Sequence, residues 1–339
     1  MKYLVGYQLL SDKNFINQII KTKENIEEVY FSWDGIANGR GVGTNETHRT
    51  KFEALNEKFE DLCFLKNNGI NTNLLLNATC YGKDSLSREF YQKIGDTVDF
   101  LVGNCGVTSV TTASPIIAKF IKSNFPTLEV RASVNMEIGT IEGMQYVSDS
   151  FDSFYLKREY NRQLDKILQA KSWCDDNGKK LYGLANSGCL NNCSAHFFHD
   201  NIVSHESEIV AMDNAFAFNG ICHSFLSKEN NRENYLRLTN FIRPEDVKLY
   251  EGLYDGLKLA TRVNKAPLRV LNAYINRKYS GVITDILEPS HTALFYPNIL
   301  ENSLFPDDFG KHTMNCDKNC DECGYCKDVF SKTCVSLEE

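Results

Sequence analysis

Short apolar runs rich in β-branched and aromatic residues alternate along this chain with longer stretches whose apolar positions recur at helical spacing. The first kind predicts strands at 3–9, 28–33, 73–77, 100–104, 129–135, 154–157, 181–186 and 256–261. The second predicts helices at 12–22, 51–68, 84–95, 114–123, 139–148, 160–176 and 266–278. The clearest is 160–176, where Leu164, Ile167, Leu168 and Trp173 recur with the helical period and Gly178 supplies a stop. Alternating strands and helices build a parallel sheet with helical crossovers, and eight units predict a TIM-like (β/α)8 barrel. The gap from 187 to 255 makes one late βα loop greatly enlarged. After about residue 280 the alternation stops, and Pro289, Pro297 and Pro306 mark irregular chain. The expected organisation is a barrel over 1–280 with a cysteine-bearing insertion at about 187–255, then an irregular C-terminal extension over 281–339 carrying a metal-binding cysteine cluster.

Composition adds one strong constraint and several weak ones. With 42% hydrophobic and 24% charged residues, the chain reads as an ordinary soluble protein with a sizeable core. The start, Met1 to Tyr7, lacks the apolar core of a signal peptide, and no stretch is apolar enough to span a bilayer, so a cytoplasmic protein without membrane contact is expected. The formal charge of −7 argues mildly against RNA as a partner, leaving a small-molecule substrate and an electron donor or partner subunit as the expected ones. The strong constraint is the twelve cysteines. In a reducing compartment, clustered cysteines more often bind metal or do redox chemistry than form disulfides.

Seven of them fall into two groups. Cys189 and Cys193 follow the run Lys180 to Ala185, and Cys222 lies further along the same loop. Three thiolates leave a fourth position for Cys105, Cys80, a terminal cysteine or substrate, which is the arrangement of a reactive site. His196 and His199 follow closely and allow a mixed Cys/His zinc site, although most histidines are simple hydrogen-bonders. The second group, Cys316, Cys320, Cys323 and Cys326, closes the chain. It fits either a structural zinc or a [4Fe-4S] cubane, giving one or two clusters in all. The first three share the spacing of radical-SAM enzymes, but that motif belongs in an early barrel loop. Cys63, Cys174 and Cys334 stay unassigned, and Cys174 reads as helix packing.

Polar residues at strand ends share the barrel's C-terminal face, where such folds do their chemistry. Trp33, Asp34, Asn77, Asn104, Asn135 and Asn186 belong to that set. In Leu156-Lys157-Arg158-Glu159, Lys157 or Arg158 suits an anion clamp, and Lys157 and Glu159 are the expected proton-handling residues. The plain alternative is an ion pair at a helix start. Arg131 is expected to reach a partner, because a charge in a buried strand is costly without one. With Lys258 and Arg262 it outlines a cationic pocket for a carboxylate or phosphate, which Asn135, Arg158 and Asn186 would complete. Asn38-Gly39-Arg40-Gly41-Val42-Gly43 lacks P-loop spacing, and neither a Gly-x-Ser-x-Gly elbow nor a His-Glu-x-x-His helix occurs.

Read together, Gly106-Val107-Thr108-Ser109-Val110-Thr111-Thr112-Ala113-Ser114-Pro115, Arg131-Ala132-Ser133-Val134-Asn135, Leu156-Lys157-Arg158-Glu159 and Asn186-Ser187-Gly188-Cys189 through Cys193 resemble the collagenase-like peptidase family U-32, and more closely its iron–sulfur members. Ile242-Arg243-Pro244-Glu245-Asp246 and Leu257-Lys258-Leu259-Ala260-Thr261-Arg262 extend the resemblance over about residues 100–280. It implies a TIM-like barrel with a [4Fe-4S] cluster and oxygen-independent hydroxylation of ubiquinone precursors or RNA bases. The chain departs from the family in spacing its cysteine pair four apart rather than seven, and in its four-cysteine tail. A metal-dependent or collagenase-like peptidase is the alternative, and a zinc-stabilised RNA- or protein-binding scaffold is a third.

Overall fold

The computed structural model describes residues 1–40, 50–320 and 322–338. Eight parallel strands pair in sequence order: β1 (Tyr3–Gly6), β2 (Ile26–Phe31), β3 (Thr72–Leu76), β4 (Val107–Thr112), β5 (Glu129–Ala132), β6 (Ser153–Tyr155), β7 (Lys180–Leu184) and β8 (Gly256–Leu259). Pairing of β8 with β1, Leu257 opposite Tyr3, closes the TIM-like barrel. Helices α1 (Asn14–Lys21), α2 (Lys51–Asn67), α3 (Arg88–Cys105), α4 (Pro115–Asn124), α5 (Ile141–Gln145) and α6 (Leu164–Asp176) alternate with the first seven strands. Their starts are chemically marked: Thr50 and Glu53 form a reciprocal capping box at α2, and Ser87 and Ser114 cap α3 and α4.

One expected strand is corrected. Residues 100–104 are the last turns of α3, because Ile94, Val98, Leu101 and Cys105 are buried at helical spacing. Gly106, at φ 64°, ends that helix in the left-handed conformation, and the β-branched run Val107–Thr112 is the true fourth strand. Most strands also stop earlier than expected, so Asn77, Asn135, Lys157, Asn186 and Arg262 lie in the loops just beyond them.

The barrel interior has an apolar layer of Leu4, Tyr30, Leu75, Val134, Tyr155, Tyr182 and Leu184. Beside it is a polar layer centred on Arg131. Nη1 of Arg131 donates to Glu28, Nη2 to Glu129 at 2.7 Å, and Nε to Ser153 at 3.1 Å, while the guanidinium lies 4.1 Å from the centre of the Tyr182 ring. Asn73 and Ser109 donate to the two oxygens of Glu28 at 2.8 and 2.9 Å. The expected substrate contact of Arg131 is therefore corrected: its nitrogens are all used inside the barrel, where the ion pair offsets the cost of burial.

Between β7 and β8 the enlarged loop forms short helices, including His196–Ser204, Ile221–Leu226 and Tyr235–Leu238. Beyond residue 280 the chain is more regular than its prolines suggest. It forms helices Phe309–Met314 and Tyr325–Thr333 and a two-stranded antiparallel sheet of β9 (Asn298–Leu300) and β10 (Cys334–Ser336). These pack on the enlarged loop through Tyr235, Phe295 and Phe330. Among the described residues no helix is long and apolar enough to cross a membrane.

Candidate metal and anion site at the barrel mouth

The loop after β7 is placed by close backbone packing. Gly188 donates to the Glu288 carbonyl at 2.9 Å, and its own carbonyl lies 3.2 Å from His291 Nε2. A Cβ on Gly188 would stand 2.2 Å from the Pro289 carbonyl oxygen, so only glycine fits immediately before Cys189. Asn186 is corrected in the same way as Arg131. Its amide donates to Ala260 and Ile286 carbonyls and accepts from Ala260 N–H at 2.7 Å, so it clamps the β7 and β8 loops together and is closed to substrate.

Cys222 lies within electrostatic reach of Cys189 and of Cys193, and burial together with Cys189 raises its thiol. Among the described residues no three His, Cys, Asp or Glu side chains close around one ion. The thiols are thus neighbours in an open arrangement. Their surroundings nevertheless suit an electron-rich sulfur group. Arg158 Nη1 donates to Cys189 Sγ at 3.5 Å, and Arg158 Nε and the Tyr235 hydroxyl are buried without hydrogen-bond partners among the described residues. Tyr235 is within electrostatic reach of both Cys189 and Cys222. Buried donors without acceptors are costly, and metal-bound sulfur is a natural acceptor for them.

Lys157 and Glu159 form an ion pair at 2.7 Å; Glu159 also accepts from Asn192 N–H at 2.6 Å, and Lys157 reaches Glu137 at 3.4 Å. They brace the cysteine loop from the end of β6. Glu137, which also lies 3.4 Å from Arg158 and 3.3 Å from His196 Nδ1, joins this network without having been read from the sequence. Its only signal was its place just past a strand end. Of the suggested fourth ligands, Cys105 is excluded by position: it ends α3 at the N-terminal end of the barrel, where Thr72 donates to its carbonyl. Cys80 lies in the loop after β3, at the mouth.

The cations divide between bracing and open duty. Arg262 is held by Ser32 at 3.0 Å, Asn38 at 2.7 Å and the Arg40 carbonyl at 3.2 Å, which orients it at the ends of β2 and β8. Gly41, Val42 and Gly43 lie outside the described residues. Asn135 donates to the Asn77 carbonyl at 3.2 Å and stays partly exposed. Lys258 differs from the rest. Its ammonium sits 4.3 Å from the Tyr30 ring centre and 5.2 Å from that of Tyr155, with no hydrogen bond or ion pair among the described residues. Burial and the nearby Arg262 push it down to about 7. Glu288, also missed by sequence reasoning, is raised by burial and lies 3.9 Å from Arg40.

The lowered Lys258 has a measurable consequence. In the unfolded chain a lysine titrates near 10.4, so between about pH 7 and 10.4 the unfolded state binds the extra proton. The penalty of the buried charge is therefore full below pH 7 and fades as pH rises. The Lys258→Met variant is expected to be more stable than the parent at pH 6 by urea denaturation, with the difference shrinking towards pH 10. A constant difference across that range contradicts the buried, unpaired amine.

No protein-family profile matches the chain. It is 26% identical over 326 residues to a protein of Methanocaldococcus jannaschii named as an uncharacterized protease, MJ1657, a match spanning 94% of this chain and 93% of that one. The solved structure of the U32 peptidase Mk0906 shares the fold, with a TM-score of 0.53, 15% identity, and coverage of 76% of this chain and 91% of that one. The chain is thus similar along nearly its whole length to a protein named as an uncharacterized protease, and it shares its barrel fold with a U32 peptidase.

Proposed function

We propose that this chain is an iron–sulfur enzyme that acts on a small anionic or aromatic substrate at the barrel mouth, in redox or oxygen-independent hydroxylation chemistry. Cys189, Cys193 and Cys222 would hold the cluster. The unmatched donors Arg158 Nε and Tyr235 hydroxyl beside Cys189 support that fit. Held there, such a cluster would supply electrons and Lewis-acid activation of the substrate. The chain's own residues do the rest: Arg262 and Arg158 hold the anion's charge, Tyr30 and Tyr155 offer aromatic faces, and Lys258 takes up a proton as the anion enters. The observation that carries this reading is Lys258, a buried amine at the mouth with aromatic neighbours and no hydrogen bond or ion pair among the described residues.

The test is calorimetric titration of the holoprotein, prepared without oxygen, with small aliphatic and aromatic carboxylates. One class is expected to bind at pH 8 with proton uptake, seen as heat that varies with buffer ionisation. Lys258→Met should weaken that binding about 10- to 100-fold, the worth of a charged hydrogen bond. Absence of carboxylate binding by the parent contradicts the reading.

A second reading, peptide hydrolysis, has one specific observation beyond the relatives' names. His205 hydrogen-bonds Cys80 and lowers its thiol, and His205 Nδ1 lies 3.3 Å from Glu208, so a cysteine, an imidazole and a carboxylate stand in line at the mouth. Peptide cleavage by metal-stripped protein, abolished by Cys80→Ala, would favour it.

A further inference from the structure

The turn Arg158–Arg162 after β6 serves both cysteine groups. While Arg158 meets Cys189, Arg162 points the other way, to the C-terminal tail. It is fully buried, 5.2 Å from the ring centres of both Phe241 and Phe309. Nη1 donates to the Leu236 carbonyl at 2.6 Å, and Nη2 is buried without a partner among the described residues. The tail cysteines Cys326 and Cys316 lie within electrostatic reach of this guanidinium, as do Tyr250, Tyr235, Lys318 and Asp246, the last already paired with Arg243 at 2.8 Å. A second cation joins it. Lys318, within the tail, donates its backbone N–H to Cys316 Sγ at 3.3 Å, sends its ammonium to Asn240 at 3.4 Å, and lies within reach of Cys316, Cys320 and Cys326.

A buried guanidinium with an idle donor, within electrostatic reach of two tail cysteines, is an uncompensated cost. Four thiolates around Zn²⁺ or around an oxidised [4Fe-4S] core carry two net negative charges, which two cations neutralise. We propose that Cys316, Cys320, Cys323 and Cys326 form a dianionic metal–tetrathiolate site seated on Arg162 and Lys318, and that this site fastens the tail against the loop bearing Cys189 and Cys193. The fastening runs through residues 235–240. Arg162 holds the Leu236 carbonyl, Lys318 holds Asn240, and Asn240 hydrogen-bonds Asn191, which lies between Cys189 and Cys193. The proposal is independent of the redox reading, because zinc would seat equally well. Closure would draw in Cys323, the exposed member of the set.

The full chain purified without oxygen, its Cys320→Ala/Cys323→Ala double variant and Cys189→Ala are compared for zinc, iron and sulfide. The double variant is expected to lose one zinc, or about four irons with their sulfide, and to keep whatever metal depends on Cys189. It should also lose hydrogen-exchange protection at 316–326 and 235–240. Arg162→Met should release tail metal to a chelator with an affinity about 10- to 100-fold weaker. If that variant does not fold, Lys318→Met is expected to weaken retention in the same direction. Metal content equal to the parent's in the double variant, or unchanged retention in the foldable cation variants, overturns the proposal. Loss of metal in Cys189→Ala bears only on the mouth site.

Discussion

Replacing Arg131 with methionine is expected to destabilise the barrel by about 3–5 kcal/mol, the cost of stripping one partner from a buried ion pair. The side chain is 1% exposed and binds Glu28, Glu129 and Ser153, so its loss strands the Glu28 carboxylate in the interior. Asn73 and Ser109 would still donate to Glu28, which is why Arg131→Met with Glu28→Gln should recover much of the loss. Denaturant midpoints of the parent, both single variants and the double variant give the coupling directly. If Arg131→Met unfolds at the parent's midpoint, the polar layer does not hold the barrel together.

The second large effect is chemical. Cys189→Ala is expected to remove the metal proposed for the barrel mouth and to abolish the proposed activity while leaving far-ultraviolet circular dichroism unchanged. Cys189 lies in a loop after β7, and the loop's backbone is held independently by Gly188 on the 288–291 segment and by Glu159 on Asn192. Visible absorbance and metal analysis read the outcome. A variant that keeps the parent's full metal content would remove Cys189 from the ligand set.

The barrel was legible because its signal is periodic: seven of the eight strand runs fall on or overlap true strands. The exception, 100–104, shows the limit of short apolar runs. Five residues such as Phe100 to Asn104 suit a strand or the end of a helix equally, and the helical stripe only appears when Ile94 and Val98 are read with Leu101 and Cys105. The candidate cysteines and cations could be picked out of the sequence, but not the contacts each cation makes. A buried arginine on a strand has the same sequence signature whether it faces substrate, as was expected of Arg131, or another strand's carboxylate, as Glu28 turned out to be. Asn186 illustrates the same ambiguity, since a strand-end amide serves loop closure as readily as ligand binding. Tyr235 reaches the mouth from a distant helix, and Arg162 reaches the tail, through tertiary contacts that no local pattern encodes.

The most direct measurement is the iron, sulfide and zinc content of the chain purified without oxygen. About four irons and four sulfides per chain are expected if the mouth alone holds a cubane, and about eight of each if the tail holds a second. Zinc without iron or sulfide under those conditions would contradict the iron–sulfur reading and leave the hydrolytic one, with Cys80, as the account to pursue.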